Sequence, residues 1–428
     1  MVWWPRGPQY GASAVSRLLA VQVAGREAVV VLCSRDRRRG DRLWGALPPM
    51  PVVAPWWPEA WDVVEAVRQR FGIDVTVLRL LTTSRLRMPG GTVSYLAEIN
   101  PAADLSELPL TPWTAGDPLA PEPLRQAWAH PDGPRRLVAW AQDRLEAAGI
   151  ALRGVPEQRK TWNLSTLWRL PTERGPVWLK AVPDFFAHEG ALMQRLGPAV
   201  TPEVYAAEPG RLLLADAPGD NMETRGPALA PMVDLLTGVQ AGWADRIQDL
   251  LALGVPDRRL AAEIPRIEQV VGEYEAGLDA TDRADLERLL AGLATRATAI
   301  ADCGVPETLT HGDFHPGNVR GLNGRFLIMD WGDSCISHPM TDELAFTRPL
   351  DPADRESAAD WFMTAWRGLV PGCEPERAAE LLRPLSPLIG AVAYAEFVRQ
   401  IEPDERIYHI DDVCDHLAIA AAEYRARQ

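Results

Sequence analysis

Lysine is almost missing from this chain of 428 residues: Lys160 and Lys180 stand against 42 arginines. Where positive charge is otherwise carried by guanidinium groups, a retained lysine marks a candidate position for a compact ammonium; the bland alternative is chance. Other absences bound the class of protein. No run of 18 apolar residues occurs, so no membrane-spanning helix and no membrane partner are expected. The opening residues, MVWWPRGPQYGAS, lack the apolar stretch of a secretory signal. The five cysteines, Cys33, Cys303, Cys335, Cys373 and Cys414, lie far apart with no CxxC. That argues against a disulfide framework or structural zinc and predicts a cytoplasmic protein. Charged residues make up 24% of the chain, an ordinary globular share, and the length suggests two or three domains.

The charge is unevenly distributed. Residues 1–110 hold 13 arginines and 10 acidic residues, net +3, which leaves −17 for the remainder of a chain of net charge −14. So acidic a remainder repels nucleic acid and favours a cationic partner; the competing reading is a solvated surface kept for solubility. Nothing in the sequence sets the oligomeric state.

Along the chain, residues 14–23 and 27–33 are valine-rich strands that predict a hairpin around Ala24-Gly25-Arg26. Residues 35–42 read as a charged loop. In residues 59–71, Ala60, Val63, Val64, Val67 and Phe71 share one helical face, and Gly72 stops the helix. Residues 73–81 and 92–99 read as strands. The Pro-rich stretch 101–123 reads as a linker. A helix is expected over 134–149, then strands over 164–170, 176–182 and 211–215, with a helix over 186–196 among them. From about residue 222 nearly everything has helical period, interrupted at 309–335.

That interruption, LTHGDFHPGNVRGLNGRFLIMDWGD, is the most informative stretch. Asp313 and Asn318 lie on a loop, and Asp330 sits just beyond the apolar strand 326–329. Three residue types that handle metals or protons thus gather within 18 residues. HGDxxxxN followed by a strand and D-W-G resembles the catalytic and metal loops of the protein-kinase-like fold, and most of all the aminoglycoside phosphotransferase family. The resemblance implies a catalytic Asp313 that accepts or orients the proton of an attacking hydroxyl, with Asn318 and Asp330 as Mg²⁺ ligands. His311 and His315 read as hydrogen-bonders that shape the loop rather than as bases. A zinc site from His311, His315 and His338 is a weaker alternative. Asp342 resembles a structural aspartate of the same family.

The resemblance further implies a phosphate-binding lysine on an upstream strand and a glutamate on the next helix. VWLK supplies Lys180 and HEGALMQRL supplies Glu189. GRLLLADAPGD resembles the hinge, with backbone groups at Ala215 and Ala217 bonding the base. WNLSTLWRL stands where a nucleotide-covering loop belongs. It lacks GxGxxG, but Asn163 and Ser165 are candidates for phosphate contact. Lys160 flanks this loop and faces either phosphate or solvent, with solvent the favoured reading.

Residues 12–99 resemble a Nudix domain in pattern. In the helix that should carry the metal-binding glutamates, the pair has become Gln69 and Arg70, while Glu65 stands where the box has arginine. Metal-dependent hydrolysis is therefore not expected of it. Trp44, Trp56, Trp57 and Trp61 read as packing residues, with an aromatic cage for a cation as the functional alternative.

The fold class expected is α+β: a Nudix-like α/β/α sandwich over 1–110, a linker and helix over 111–150, then a bilobal protein-kinase-like fold. Its small lobe and hinge span 151–220 and its helical lobe 221–428. The function expected is transfer of the γ-phosphoryl group of ATP or another nucleoside triphosphate, with Mg²⁺, to a hydroxyl of a small molecule, a cationic antibiotic or an amino alcohol being the candidate acceptors. The alternatives are a nucleotide-binding pseudokinase or regulator and, least favoured, an active Nudix hydrolase.

Overall fold

The computed structural model describes residues 25–36, 38, 40–222 and 229–428. The fold is mixed α+β, with four sheets among the described residues.

The first unit is built from β1 (Arg26–Asp36), β2 (Gly40–Ala46), β3 (Met50–Val52), α1 (Trp61–Phe71), β4 (Val75–Thr83) and β5 (Gly91–Ile99). Its sheet runs β2-β1-β5-β4, with β3 also on β1; β1 and β5 are parallel and the other pairs antiparallel. The expected hairpin is only partly testable, because 14–23 lies outside the described residues. The stretch 35–42 is not one long loop: β1 extends to Asp36, which pairs with Gly40 at the start of β2. Helix α1 buries Val63, Val64 and Val67 and leaves Arg68, Gln69 and Arg70 exposed. Gly72, at φ +70°, ends it in the left-handed region and returns its N–H to Arg68.

The second sheet, β6-β7-β8-β10-β9, contains β6 (Glu157–Trp162), β7 (Ser165–Thr172), β8 (Gly175–Ala181), β9 (Val204–Glu208) and β10 (Arg211–Ala215). Helix α2 (Gly133–Ala147) packs Leu137, Trp140, Ala141 and Leu145 against Trp168, Leu170, Leu179 and Leu213 of this sheet. The α2 periodicity is thus spent on the second sheet, although the helix follows the 101–123 stretch. Helix α3 (Glu189–Leu196) lies between β8 and β9. It is shorter than expected, because Asp184–Phe186 forms a separate 3-10 turn.

The remainder is largely helical: α4 (Leu229–Trp243), α5 (Ile247–Ala252), α6 (Leu260–Tyr274), α7 (Ala280–Ala291), α8 (Leu293–Ala301), α9 (Met340–Thr347), α10 (Pro352–Leu369), α11 (Pro375–Leu382), α12 (Ser386–Gln400) and α13 (Asp412–Arg425). Among them sit two small sheets, β11 (Asp220–Asn221) with β13 (Val319–Leu322) and β14 (Arg325–Ile328), and β12 (Thr308–Thr310) with β15 (Cys335–Ser337). No single described helix is long and apolar enough to cross a membrane.

The first unit is not an appendage. Its core is continuous with Trp162, Leu164, Val182 and Phe186 of the second sheet region and with Phe397 and Tyr408 far along the chain. Gln158 on β6 donates from Nε2 to the Val77 carbonyl at 2.7 Å and accepts the Val77 N–H at 2.9 Å, stitching β4 to β6. Arg79 is 1% exposed and meets Asp404 at 3.1 Å and Glu402 at 3.5 Å. Glu405, also 1% exposed, accepts the Leu80 N–H at 3.3 Å. A buried cation left unpaired would cost several kcal/mol, so these acids tie the first unit to the segment 402–405.

Burial, reinforced by the nearby Glu402 carboxylate, pushes the Glu405 carboxyl up to about 8. Its folded-state pKa therefore lies above the unfolded value near ~4.3. The stability it contributes is complete below that value and is lost as pH rises through about 8. Glu405→Gln stays neutral throughout. Denaturant unfolding from about pH 5 to about pH 9 is expected to show wild type losing at least about 1 kcal/mol relative to this variant. A difference that does not vary with pH would contradict the assignment.

Candidate active site

The catalytic-type loop is anchored from two directions. Strand β12 delivers His311-Gly312-Asp313 and pairs with β15, the strand that follows the D-W-G turn, so the two loops are held by one small sheet. Beneath them lies Asp342 on α9, fully buried. Its carboxylate accepts the His311 N–H at 2.8 Å, the Gly312 N–H at 2.9 Å and the Gln240 amide at 2.9 Å. Burial outweighs these bonds and pushes its carboxyl up to about 6. The structural reading of Asp342 fits this geometry.

His311 is fully buried. Nδ1 accepts the Asp313 N–H at 3.2 Å, and Nε2 lies 2.8 Å from the Met329 carbonyl, to which it donates. Desolvation lowers its pKa to about 4, so the ring is neutral and bridges the two loops. His315 accepts the Gly317 N–H at 3.0 Å. His338 is buried, with its pKa lowered to about 3 by desolvation, and Nδ1 accepts the Met340 N–H at 3.2 Å. The zinc alternative fails on this arrangement: among the described residues no group of three His, Cys, Asp or Glu side chains is arranged to hold a metal.

The expected phosphotransfer residues do come together. Lys180, Ser165, Asp313, Asn318 and Asp330 line one small cavity of about 30 Å³. The Lys180 ammonium sits 2.6 Å from Glu189 Oε1 on α3 and 2.6 Å from Asp330 Oδ1. The two carboxylates outweigh desolvation and hold the lysine pKa above its ordinary value. Asp330 adopts φ +61°, a left-handed conformation uncommon for a non-glycine residue. The Asn318 amide donates to the Asp313 carbonyl at 2.9 Å and to Asp313 Oδ2 at 3.2 Å, which leaves Oδ1 as its acceptor atom. Ser165 is less open than expected, since its Oγ accepts the Trp162 indole N–H at 3.0 Å. Ala215 and Ala217 lie outside this cavity. The Ala215 N–H is already given to the Glu203 carbonyl at 2.8 Å, so only its carbonyl can serve a base. Ala217 forms a small apolar cluster with Leu327 and Met329.

Two expectations need correction. Lys160 does not face solvent: it is 7% exposed and lines the cavity that holds Lys180 and Asp313. Asn163 is also buried, and its amide donates to the Glu405 carbonyl at 3.4 Å, away from a phosphate role. The tryptophans pack as expected: Trp56 and Trp57 are buried, Arg42 covers Trp44 and Arg159 covers Trp61, and the alternative of a cation cage does not form. His188 went unnoticed in the sequence. It precedes Glu189 and lies 3.1 Å from the Ser334 hydroxyl, joining α3 to the turn after Asp330.

Gly312 is required on two counts. Its φ is +80°, and a Cβ there would stand 2.2 Å from the Asp333 carbonyl oxygen. Gly312→Ala is expected to cost about 1–3 kcal/mol for the backbone alone, and more from pushing the two loops apart. Thermal unfolding checks this; a melting temperature within about a degree of wild type would contradict it.

A protein-family model described as the phosphotransferase enzyme family matches residues 93–381, more than half of the chain. No curated protein matches. Among solved structures, the apoenzyme of macrolide 2'-phosphotransferase MphH from Brachybacterium faecium is 19% identical, covering 64% of this chain and 97% of that one with a TM-score of 0.45. A choline/ethanolamine kinase family protein from Mesorhizobium loti is 17% identical, covering 68% and 99% with a TM-score of 0.44. Choline kinase LicA from Streptococcus pneumoniae is 13% identical, covering 67% and 99% with a TM-score of 0.46. The family model, which opens inside β5 and spans both candidate loops, carries the assignment without these: the chain belongs to the phosphotransferase enzyme family.

Proposed function

We propose that this protein transfers the γ-phosphoryl group of ATP to a hydroxyl of a small molecule. The observation that supports this best is the convergence of Lys180, Asp313, Asn318 and Asp330 on one cavity, with Glu189 against the lysine. The donor set fits Mg²⁺, a hard cation that takes a few protein oxygens and fills its shell with phosphate and water. Asn318 through Oδ1 and Asp330 through its carboxylate would hold it, and it would neutralise charge on the phosphates.

The chain's own residues supply the rest. Lys180 binds the α- and β-phosphates and is kept in place by Glu189. Asp313, oriented by Asn318, accepts the proton of the acceptor hydroxyl as it attacks in line. The carbonyl of Ala215 and the backbone of Ala217 bind the base, with Leu327 and Met329 as an apolar floor. The first unit is read as Nudix-like without hydrolysis. Gln69 and Arg70 are exposed on α1, and Glu65 is engaged with Arg68 at 2.5 Å.

A cationic acceptor is favoured by a second cavity of about 610 Å³ that shares Phe186 with the first. That volume suits a small molecule. Its lining includes Asp184, Asp257, Asp333 and Glu396, against Arg258 and Arg266. Glu343, close to the metal loop in sequence, contributes nothing to such attraction: it is fully buried on α9.

Asp313→Asn is expected to keep Mg·ATP binding and lower turnover by about 10²–10⁴-fold, whereas Asp330→Ala weakens Mg²⁺-dependent binding. Near-wild-type turnover of Asp313→Asn with any acceptor refutes the mechanism. For a cationic acceptor, KM should rise with KCl as the Debye length falls below about 10 Å, with little change in kcat. A KM independent of salt removes the cationic preference and leaves the transfer reaction standing.

A further inference from the structure

Lys160 is the second of only two lysines, and it reaches the cavity by an unusual construction. Strand β6 pairs Gln158 with Trp168 and Lys160 with Leu167, so Arg159 is an extra, bulged residue. A bulge re-aims the side chains that follow it. The bulge is pinned from the first unit: the Arg159 carbonyl accepts the Ala60 N–H at 3.1 Å, and the Thr161 N–H donates to the Pro58 carbonyl at 2.9 Å. Between these bonds Glu59 stands opposite Lys160 in an antiparallel bridge, which sets their side chains on one face. The segment carrying Glu59 is itself organised by Arg26, a fully buried guanidinium that donates to the carbonyls of Trp56 at 2.5 Å and Glu59 at 2.9 Å.

The charges agree with this geometry. Burial raises the Glu59 carboxyl, and the Lys160 ammonium is the foremost group opposing the rise. The ammonium also stands 4.9 Å from the Trp162 ring centroid. Lys180 and Glu189 form one lysine–glutamate pair on the cavity; Glu59, from the first unit, stands across the backbone bridge from Lys160.

We propose that Lys160 is a further catalytic residue whose ammonium contacts the γ-phosphoryl oxygens during transfer, and that Glu59 is its positioning residue. The first unit thereby completes the transfer site. This rests on the phosphotransfer reading above. Lys180, tied to Asp330 at 2.6 Å, is committed to the metal side, whereas Lys160 approaches from the covering hairpin. A cation fixed where charge moves in the transition state lowers the barrier without reorganising when the reaction occurs.

The test uses the full chain with Mg·ATP and Mg·ADP as probes, and ATP hydrolysis with water as acceptor. Calorimetry on Lys160→Met should show ATP affinity reduced about tenfold or more and ADP affinity within about twofold, with hydrolysis down about 10²-fold. Lys180→Met should weaken both nucleotides. Lys160→Gln keeps a polar head and takes the place of the Met variant if that one does not fold. Glu59→Gln should lower hydrolysis about tenfold in wild type and add nothing in the Lys160→Met background. Loss of ATP and ADP affinity alike, or of neither, overturns the role of Lys160 alone. Additive effects of the two substitutions overturn the role of Glu59. A wild-type chain that binds no Mg·ATP overturns this proposal and the phosphotransfer reading together.

Discussion

The Lys180 ammonium, held between two carboxylates in a dry setting, is the interaction around which the site is organised. A buried ammonium survives only if its partners stay in place, and its partners come from separate elements: Glu189 from α3 and Asp330 from the turn after β14. The second sheet, the helix behind it and the metal-type loop are therefore set relative to one another by a single charge. His188, at the start of the same helix, adds a neutral bond to Ser334, so α3 is tied to that turn at a second point beyond Asp330. Backbone geometry follows from the same requirement. Asp330 accepts a left-handed conformation, and Gly312 presses against the Asp333 carbonyl, because the loops must approach closely for the carboxylates to converge.

Beneath the charged layer is a layer of buried polar groups whose pKa values burial moves in opposite directions, each toward the neutral form. Desolvation holds His311 neutral, and it raises Asp342, which nonetheless accepts three N–H groups. Each satisfies donors or acceptors that a loop carries by necessity and cannot leave unpaired when buried. The loop bearing Asp313 is thus held by fully buried side chains.

Much of this was legible in the sequence where the chemistry is local. Asp313, Asn318 and Asp330 lie within 18 residues, and short spacing constrains them to neighbouring loops. Lys180 was legible through scarcity combined with a strand end. Lys160, equally scarce, was only half legible, since the sequence left phosphate and solvent open and favoured solvent. Its orientation depends on a bulge in EQRKTW, a strand with little apolar alternation, and on a first unit whose contact with β6 is made across about a hundred residues of chain. Glu343 shows the opposite limit: it is close in sequence to the metal loop, yet its place in the first turn of α9 puts it inside the protein.

The division of the chain illustrates the same limit. Composition marks 101–123 as a linker, and a Pro-rich linker ordinarily separates independent units. Here the units on either side share a core, a buried arginine with its acids, and a strand stitched by Gln158. What joins them is long-range pairing, invisible to any window of sequence. Its physical consequence reaches the chemistry, since Pro58, Glu59 and Ala60 lie against the strand that leads into the covering turn at Asn163 and Leu164. The first unit supports the site whatever chemistry it lacks of its own, because its removal would expose the apolar face of Trp162 and Leu164 and release the strand that carries Lys160 into the cavity.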